Sequence, residues 1–208
     1  MSALSGHRVI YIMTHDSIGL GEDGPTHQPI ETLASLRALP NMLVMRPADG
    51  NEVSGAYMVA IERKNGPTTI ALTRQNLPHL LGTSLDGVTK GAYVLSETAG
   101  AAPALVIVAT GSEVSIVVDA AKILNDSGVA TRVVSMPCME LFNVQSQEYK
   151  EKVFPAGVPV LSVEAMSTFG WSKYAHASIG VDTFGISAPY KVRQVLEPYY
   201  LHIQNQVF

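Results

Sequence analysis

The sequence predicts an α/β protein of two consecutive units, each built mainly on a parallel sheet with crossover helices. Two observations predict it. Short β-branched runs alternate with amphipathic stretches as strand, helix, strand, helix, strand up to Leu72, and the alternation restarts at Ala104 after a stretch without periodicity. With 47% hydrophobic and 15% charged residues among 208, the chain also has enough apolar material for one large or two small cores. The implied division is residues 1–80, a linker over 81–90, and a second unit over 91–208.

Arg8–Thr14 reads as a buried strand, bounded by Gly6 and by the polar stretch THDSIGLGEDGPTHQPIE. Helix signals begin near Thr26, with Pro29 acceptable in the first turn and Ile30, Leu33, Leu36 and Leu39 on one face. Pro40-Asn41 ends that helix, and Met42–Met45 is a short strand. Asp49 caps a second helix whose inner face carries Val53, Ala56, Tyr57, Ala60 and Ile61. Gly66-Pro67 breaks it before a strand over Thr68–Leu72. In the second unit Ala104–Ala109 is a strand, Thr110-Gly111-Ser112 a tight turn, and Ser112 the cap of a helix presenting Val114, Val117, Val118, Ala121 and Leu124. Thr131–Ser135 is a strand, Gln145–Val153 a short helix, and Val160–Val163 a strand ending at Glu164. Trp171–Ile179 reads as helical, with Trp171 and Tyr174 in the core, and Val192 onward as an amphipathic tail.

Several function classes drop out. The formal net charge is −4 and no Lys/Arg run exceeds two residues, so there is no basic footprint for nucleic acid. No apolar run reaches membrane-spanning length. Cys138 is the single cysteine, which excludes an internal disulfide and suits a reducing, cytoplasmic setting.

Gly19-Leu20-Gly21-Glu22-Asp23-Gly24 spells G-x-G-x-x-G but does not read as a dinucleotide site. Gly19 comes five positions after Thr14, two carboxylates inside the loop would repel a pyrophosphate, and the next strand ends in Met45-Arg46 without an acid for a ribose. His15 and His27 are more informative. With Asp16 and Asp23 they share one glycine-rich loop after the C-terminal end of a parallel strand, where ligands bind in open α/β sheets. Imidazoles there can pass protons near neutral pH or donate to a phosphate. Twelve positions of loop separate the two histidines, which is no recognisable metal-ligand spacing, so no metal site is assigned. Arg74 also follows a strand end and reads as a phosphate clamp on the same rim as His15. Glu164 reads as a structural, hydrogen-bonding carboxylate. Asp49-Gly50 with Asn76 faintly echoes a pattern that holds metal in thiamin diphosphate enzymes, and a helix cap explains Asp49 better.

THDSIGLGEDGPTHQPIE, followed by RPADGNE, LTRQNLP, KGAYVL, VATGSEVS, RVVSMP and KYAHASIG, resembles transketolase over residues 1 to 190. The resemblance implies part of the pyrimidine-binding domain followed by the C-terminal domain, with the first unit incomplete. It implies transfer of a two-carbon ketol unit from a ketose phosphate to an aldose phosphate, with thiamin diphosphate and a divalent metal (Mg or Ca) held largely by residues outside this stretch. By resemblance, His15 and Arg74 bind the sugar phosphate, Asp23 contacts a substrate hydroxyl, and His27 lies near the cofactor and the reacting hydroxyls as a substrate-binding and catalytic group. A homodimer is the family's expected assembly, and sugar phosphates are its expected partners. Residues 193–208 depart from the family pattern. The expectation is a chain that supplies the acceptor side of the site and is not active alone. The alternatives are a non-catalytic form that docks on full-length subunits, or a piece of a deoxyxylulose phosphate synthase or a dehydrogenase beta subunit. GEDGPTHQ together with Arg74 favours transketolase.

Overall fold

The computed structural model describes residues 1–20 and 22–187. The first unit runs through a single helical turn α1 (Ser2–Ser5), β1 (Ile10–Thr14), a 3-10 turn at Pro25–His27, α2 (Thr32–Arg37), β2 (Leu43–Met45), α3 (Gly50–Glu62) and β3 (Thr68–Leu72). Its sheet has the order β1-β3-β2 and is parallel throughout, with Thr14 opposite Leu72 and Met45 opposite Ile70. One face of the sheet packs Met45 and Ile70 on Ala56 and Ala60 of α3, and the other packs Val44 and Ala71 on Leu33 of α2. β1 is an edge strand whose Ile12 and Met13 remain exposed.

Three expectations for this unit need correction, the first being the buried strand over Arg8–Thr14: β1 has only β3 beside it among the described residues, so Ile12–Thr14 are exposed. The helix expected from Thr26 begins at Thr32, and Pro25–His27 forms a separate 3-10 turn. Proline disfavours helical backbone in the residue before it, and Gln28 accordingly sits at φ −112°, ψ 83° ahead of Pro29. On α3, Tyr57 and Ile61 are exposed, and the buried stripe is Glu52, Gly55, Ala56 and Ala60. The apolar pattern misplaced that face because a buried carboxylate, Glu52, stands where a hydrophobic residue would mark it.

The stretch expected as a linker is docked. Asp49 caps α3 by accepting from the Glu52 amide, and its other oxygen accepts from the Leu80 amide at 3.1 Å and the Thr83 hydroxyl at 2.8 Å. A short helix α4 (Leu85–Thr89), capped by Ser84, then buries Val88. The second unit follows as β4 (Tyr93–Glu97), β5 (Leu105–Ala109), α5 (Glu113–Asp126), β6 (Thr131–Ser135), α6 (Met139–Asn143), α7 (Gln147–Val153), β7 (Val160–Val163), a 3-10 turn at Trp171–Lys173 and β8 (Ala177–Ile179). The sheet order is β4-β6-β5-β7-β8, with β4 antiparallel to β6 and the other pairs parallel. Ser112 makes no capping bond and donates instead to Glu113 Oε1 at 2.6 Å. The helix expected over Trp171–Ile179 is a 3-10 turn followed by strand β8. Trp171 and Tyr174 do pack in the core, but the chain then pairs with β7, where the Val160 amide donates to His176 Nδ1 and Ser162 bonds Ser178. The tail from Val192 lies outside the described residues. Among the described residues, no helix is long and apolar enough to cross a membrane.

A buried ionic cluster joins the units. Arg46, at the end of β2, is fully buried and donates to Asp16 at 2.8 Å, to the Thr110 carbonyl and hydroxyl, and to Glu113. Glu164, at the end of β7, accepts both bonds of an Arg37 fork at 2.8 Å, a bond from Trp171 Nε1 at 2.8 Å and one from the Thr110 hydroxyl at 2.5 Å. Burial alone would raise the Glu164 pKa, but the Arg37 and Arg46 guanidiniums outweigh it and hold the carboxyl at about 2. Its folded value therefore lies below the ordinary value of 4.5, so the stability it contributes is complete above that value and is lost as pH falls toward about 2. Glu164→Gln is expected to lower unfolding free energy at neutral pH by about 3 kcal/mol and to flatten the acid dependence in that window. Denaturant melts at a series of pH values check this, and parallel acid profiles for the two proteins would refute it.

Candidate functional site

The candidate site lies where β1 gives way to the glycine-rich loop. His15 is held in the left-handed region at φ 65°, one of two non-glycine residues with positive φ among those described. Such a conformation disfavours a side chain and persists only where the surroundings impose it. Here Thr14 precedes it in the β1–β3 ladder, and the next residue, Asp16, is buried and tied to Arg46. The loop closes through Gly24, at φ 77°, into the 3-10 turn that carries His27. Each imidazole engages the hydroxyl of the preceding threonine through Nδ1, His15 with Thr14 and His27 with Thr26, both at 3.0 Å. Neither Nε2 has a partner among the described residues. The two rings line a single cleft of about 390 Å³ together with Glu31, Thr32 and Phe184.

Of the sequence-derived site residues, the structure thus brings His15 and His27 into one cleft. Arg74 lies two residues beyond Leu72, the register partner of Thr14, so it leaves the sheet at the same end as His15 from the neighbouring strand. Its side chain is exposed, makes no hydrogen bond or ion pair among the described residues, and does not line the cleft. Asp23 is also exposed, in the loop between the two histidines, and likewise is not a lining residue.

Other groups have structural roles. The carboxylate of Glu52 accepts from the Ala48 amide, Tyr93 and Ser135, and burial raises its pKa. Asp49 spends its oxygens on the α3 cap and the following segment, with His79 Nδ1 also 3.3 Å away. Among the described residues no three His, Cys, Asp or Glu side chains are grouped to hold a metal ion.

Sequence reasoning missed Arg46 and Phe184. Arg46 carried a signal: a guanidinium directly after a fully buried strand and before a proline has little access to water and must find acceptors. Phe184 carried none, because its place depends on how the second unit returns to the first.

Family models match both units: the transketolase pyrimidine-binding domain over residues 1–79 and the transketolase-like C-terminal domain over 91–197. The chain belongs to the transketolase family. It is 59% identical over 187 residues to the transketolase of Kluyveromyces lactis, covering 90% of this chain and 27% of that protein. Among solved structures, it is similar to Leishmania mexicana transketolase with a TM-score of 0.90 and 53% identity, covering 96% of this chain and 29% of that one. It is also similar to Pichia stipitis transketolase in complex with sedoheptulose 7-phosphate, with a TM-score of 0.89 and 54% identity, covering 96% and 29%. The chain thus spans between a quarter and a third of the length of these three transketolases.

The left-handed backbone at His15 gives a test that separates strain from ligand contact. His15→Asn is expected to keep unfolding free energy within about 1 kcal/mol, because asparagine tolerates this region, whereas His15→Val costs a further ~1–2 kcal/mol. Denaturant unfolding of the two variants measures it, and equal midpoints would show that the fold does not impose the conformation.

Proposed function

We propose that this chain supplies the sugar-phosphate side of a transketolase-type site, in which a two-carbon ketol unit passes from a ketose phosphate to an aldose phosphate. The observation that carries the reading is the cleft shared by His15 and His27 at the C-terminal end of β1. Both imidazoles use Nδ1 internally, which leaves Nε2 of each for a ligand. His15 donates to the phosphate and Arg74, from the adjacent strand, supplies its guanidinium as a clamp. Asp23 accepts from a substrate hydroxyl, and an epimer would leave that acceptor unpaired, which is how a polar site discriminates stereochemistry. His27 bonds the reacting hydroxyls and moves their protons through Nε2. Thiamin diphosphate with a divalent metal supplies the carbanion stabilisation in this reaction class, and this chain's residues orient and exchange protons around it.

The relatives' structures in complex with sedoheptulose 7-phosphate and fructose 6-phosphate support sugar phosphates as the ligand class. The length of those relatives supports a chain that acts within a larger assembly, a homodimer of complete subunits in this reading. The purified chain is expected to bind fructose 6-phosphate and to show no ketol transfer by itself. Arg74→Ala and His15→Ala should each weaken that binding roughly tenfold or more, since each removes a charge-assisted bond to phosphate. Calorimetric titration and a coupled transfer assay read both outcomes. Turnover by the isolated chain would overturn its insufficiency, and unchanged affinity in both variants would overturn the phosphate roles.

A further inference from the structure

We infer that the segment Thr183–Ser187 of the second unit is a positioning strap, which fixes the loop carrying Asp23 and His27 and presents Phe184 as the apolar wall of the cleft that His27 shares with His15. The strap is anchored at both ends. At its base, Asp182 accepts from the Thr168 amide and hydroxyl, both at 2.8 Å, and from the Ser167 hydroxyl at 3.1 Å, while the Val181 amide donates to the Met166 carbonyl. At its far end the Ser187 hydroxyl donates to the Glu22 carbonyl at 2.7 Å, directly before Asp23. Between them the Ile186 carbonyl accepts from Gln28 Nε2 at 3.3 Å, directly after His27. The two ties therefore bracket the loop from Glu22 to Gln28.

Gly24 lies buried under the strap. A Cβ there would meet Ser187 Cβ at 3.3 Å and would have to accept φ +77°. The path of the loop and the path of the strap are thus fitted to each other. Phe184 lines the histidine cleft although its own side chain is largely exposed, at 79%. A large aromatic surface kept in water beside two imidazoles is suited to a ligand with a carbon chain and polar ends, the usual division of labour in a small-molecule site.

The inference rests on the sugar-phosphate reading only for what the loop holds. The strap's hold on the loop can be measured without ligand. In the full chain, the doubly substituted Asp182→Asn, Ser187→Ala protein is compared with wild type. Both positions are exposed, so the substitutions spare the cores. The expectation is that amide hydrogen exchange across residues 22–28 accelerates by about fivefold or more while the β5 and β6 amides keep their rates. Affinity for fructose 6-phosphate should fall several-fold in the double variant and in Phe184→Ala, and affinity for inorganic phosphate should not change, because His15 and Arg74 lie off the strapped loop. Unchanged exchange in the loop would overturn the strap. Faster exchange in a chain whose wild type binds no fructose 6-phosphate would uphold the strap and refute the ligand.

Discussion

The molecule depends first on a guanidinium that water cannot reach. Arg46 ends a strand with every residue buried, so its donors must be met from within the protein. The acceptors come from three separate places: Asp16 in the loop after β1, Thr110 after β5, and Glu113 at the start of α5. Gly111 is required here, because a Cβ at that position would lie 2.8 Å from the guanidinium carbon. The backbone follows the side chain, with the Arg46 amide bonded to the Pro137 carbonyl and the Gly111 amide to the Arg46 carbonyl. Breaking this set would strand a charge, whereas an apolar replacement of the whole set could be as stable, so its value lies in register. It fixes which turn of the second unit meets which end of the first. Asp16 shows the direction of the constraint. Its Oδ1 is buried without a partner among the described residues while Oδ2 holds Arg46. The needs of the arginine place Asp16, and Asp16 places His15.

A second set of buried carboxyl groups does the same work on the other side of β2. Glu52 on α3 meets Tyr93 of β4 and Ser135 of β6, so the first crossover helix is bonded directly to the second sheet. Asp49, one turn earlier, holds the stretch that connects the units. β2 is an edge strand of its own sheet, and the second unit covers that edge, with the Val44 amide donating to Glu140. A parallel sheet needs its edge and faces covered, and here the covering is polar and directional as well as apolar.

This explains what could be read from the sequence. Strand positions were legible because each is a short β-branched run between turn residues, and Thr68–Leu72, Thr131–Ser135 and Val160–Val163 appear with those bounds. Errors fell where a long-range bond decides the local structure. Trp171–Ile179 has apolar residues at helical spacing, yet pairing of His176 with Val160 and Ser178 with Ser162 draws its second half into a strand. The inner face of α3 was misread because its key buried residue is an acid satisfied by partners 41 and 83 positions away. At the site, the two histidines were legible because imidazoles in a glycine-rich loop after a parallel strand have no packing role to explain them. Phe184 was not, since it lies 157 positions from His27, a distance that no local pattern spans.

The two units therefore contribute differently to one cleft. The first supplies the groups on the cleft that can bond a polar ligand: two imidazoles whose Nε2 is free among the described residues. The second supplies their placement, through Glu113 and Thr110 acting on Arg46 and Asp16, and through the Asp182–Ser187 segment acting on the loop. A polar site works only when its donors are held before the ligand arrives, because a loose loop must be ordered at the moment of binding. His15 is the point where this becomes visible, since a left-handed histidine is retained only by the restraints on both sides of it. The second unit thus belongs to the site although, among the described residues, its only side chain on the cleft is Phe184: without its anchors, the imidazoles would sit on an ungoverned loop.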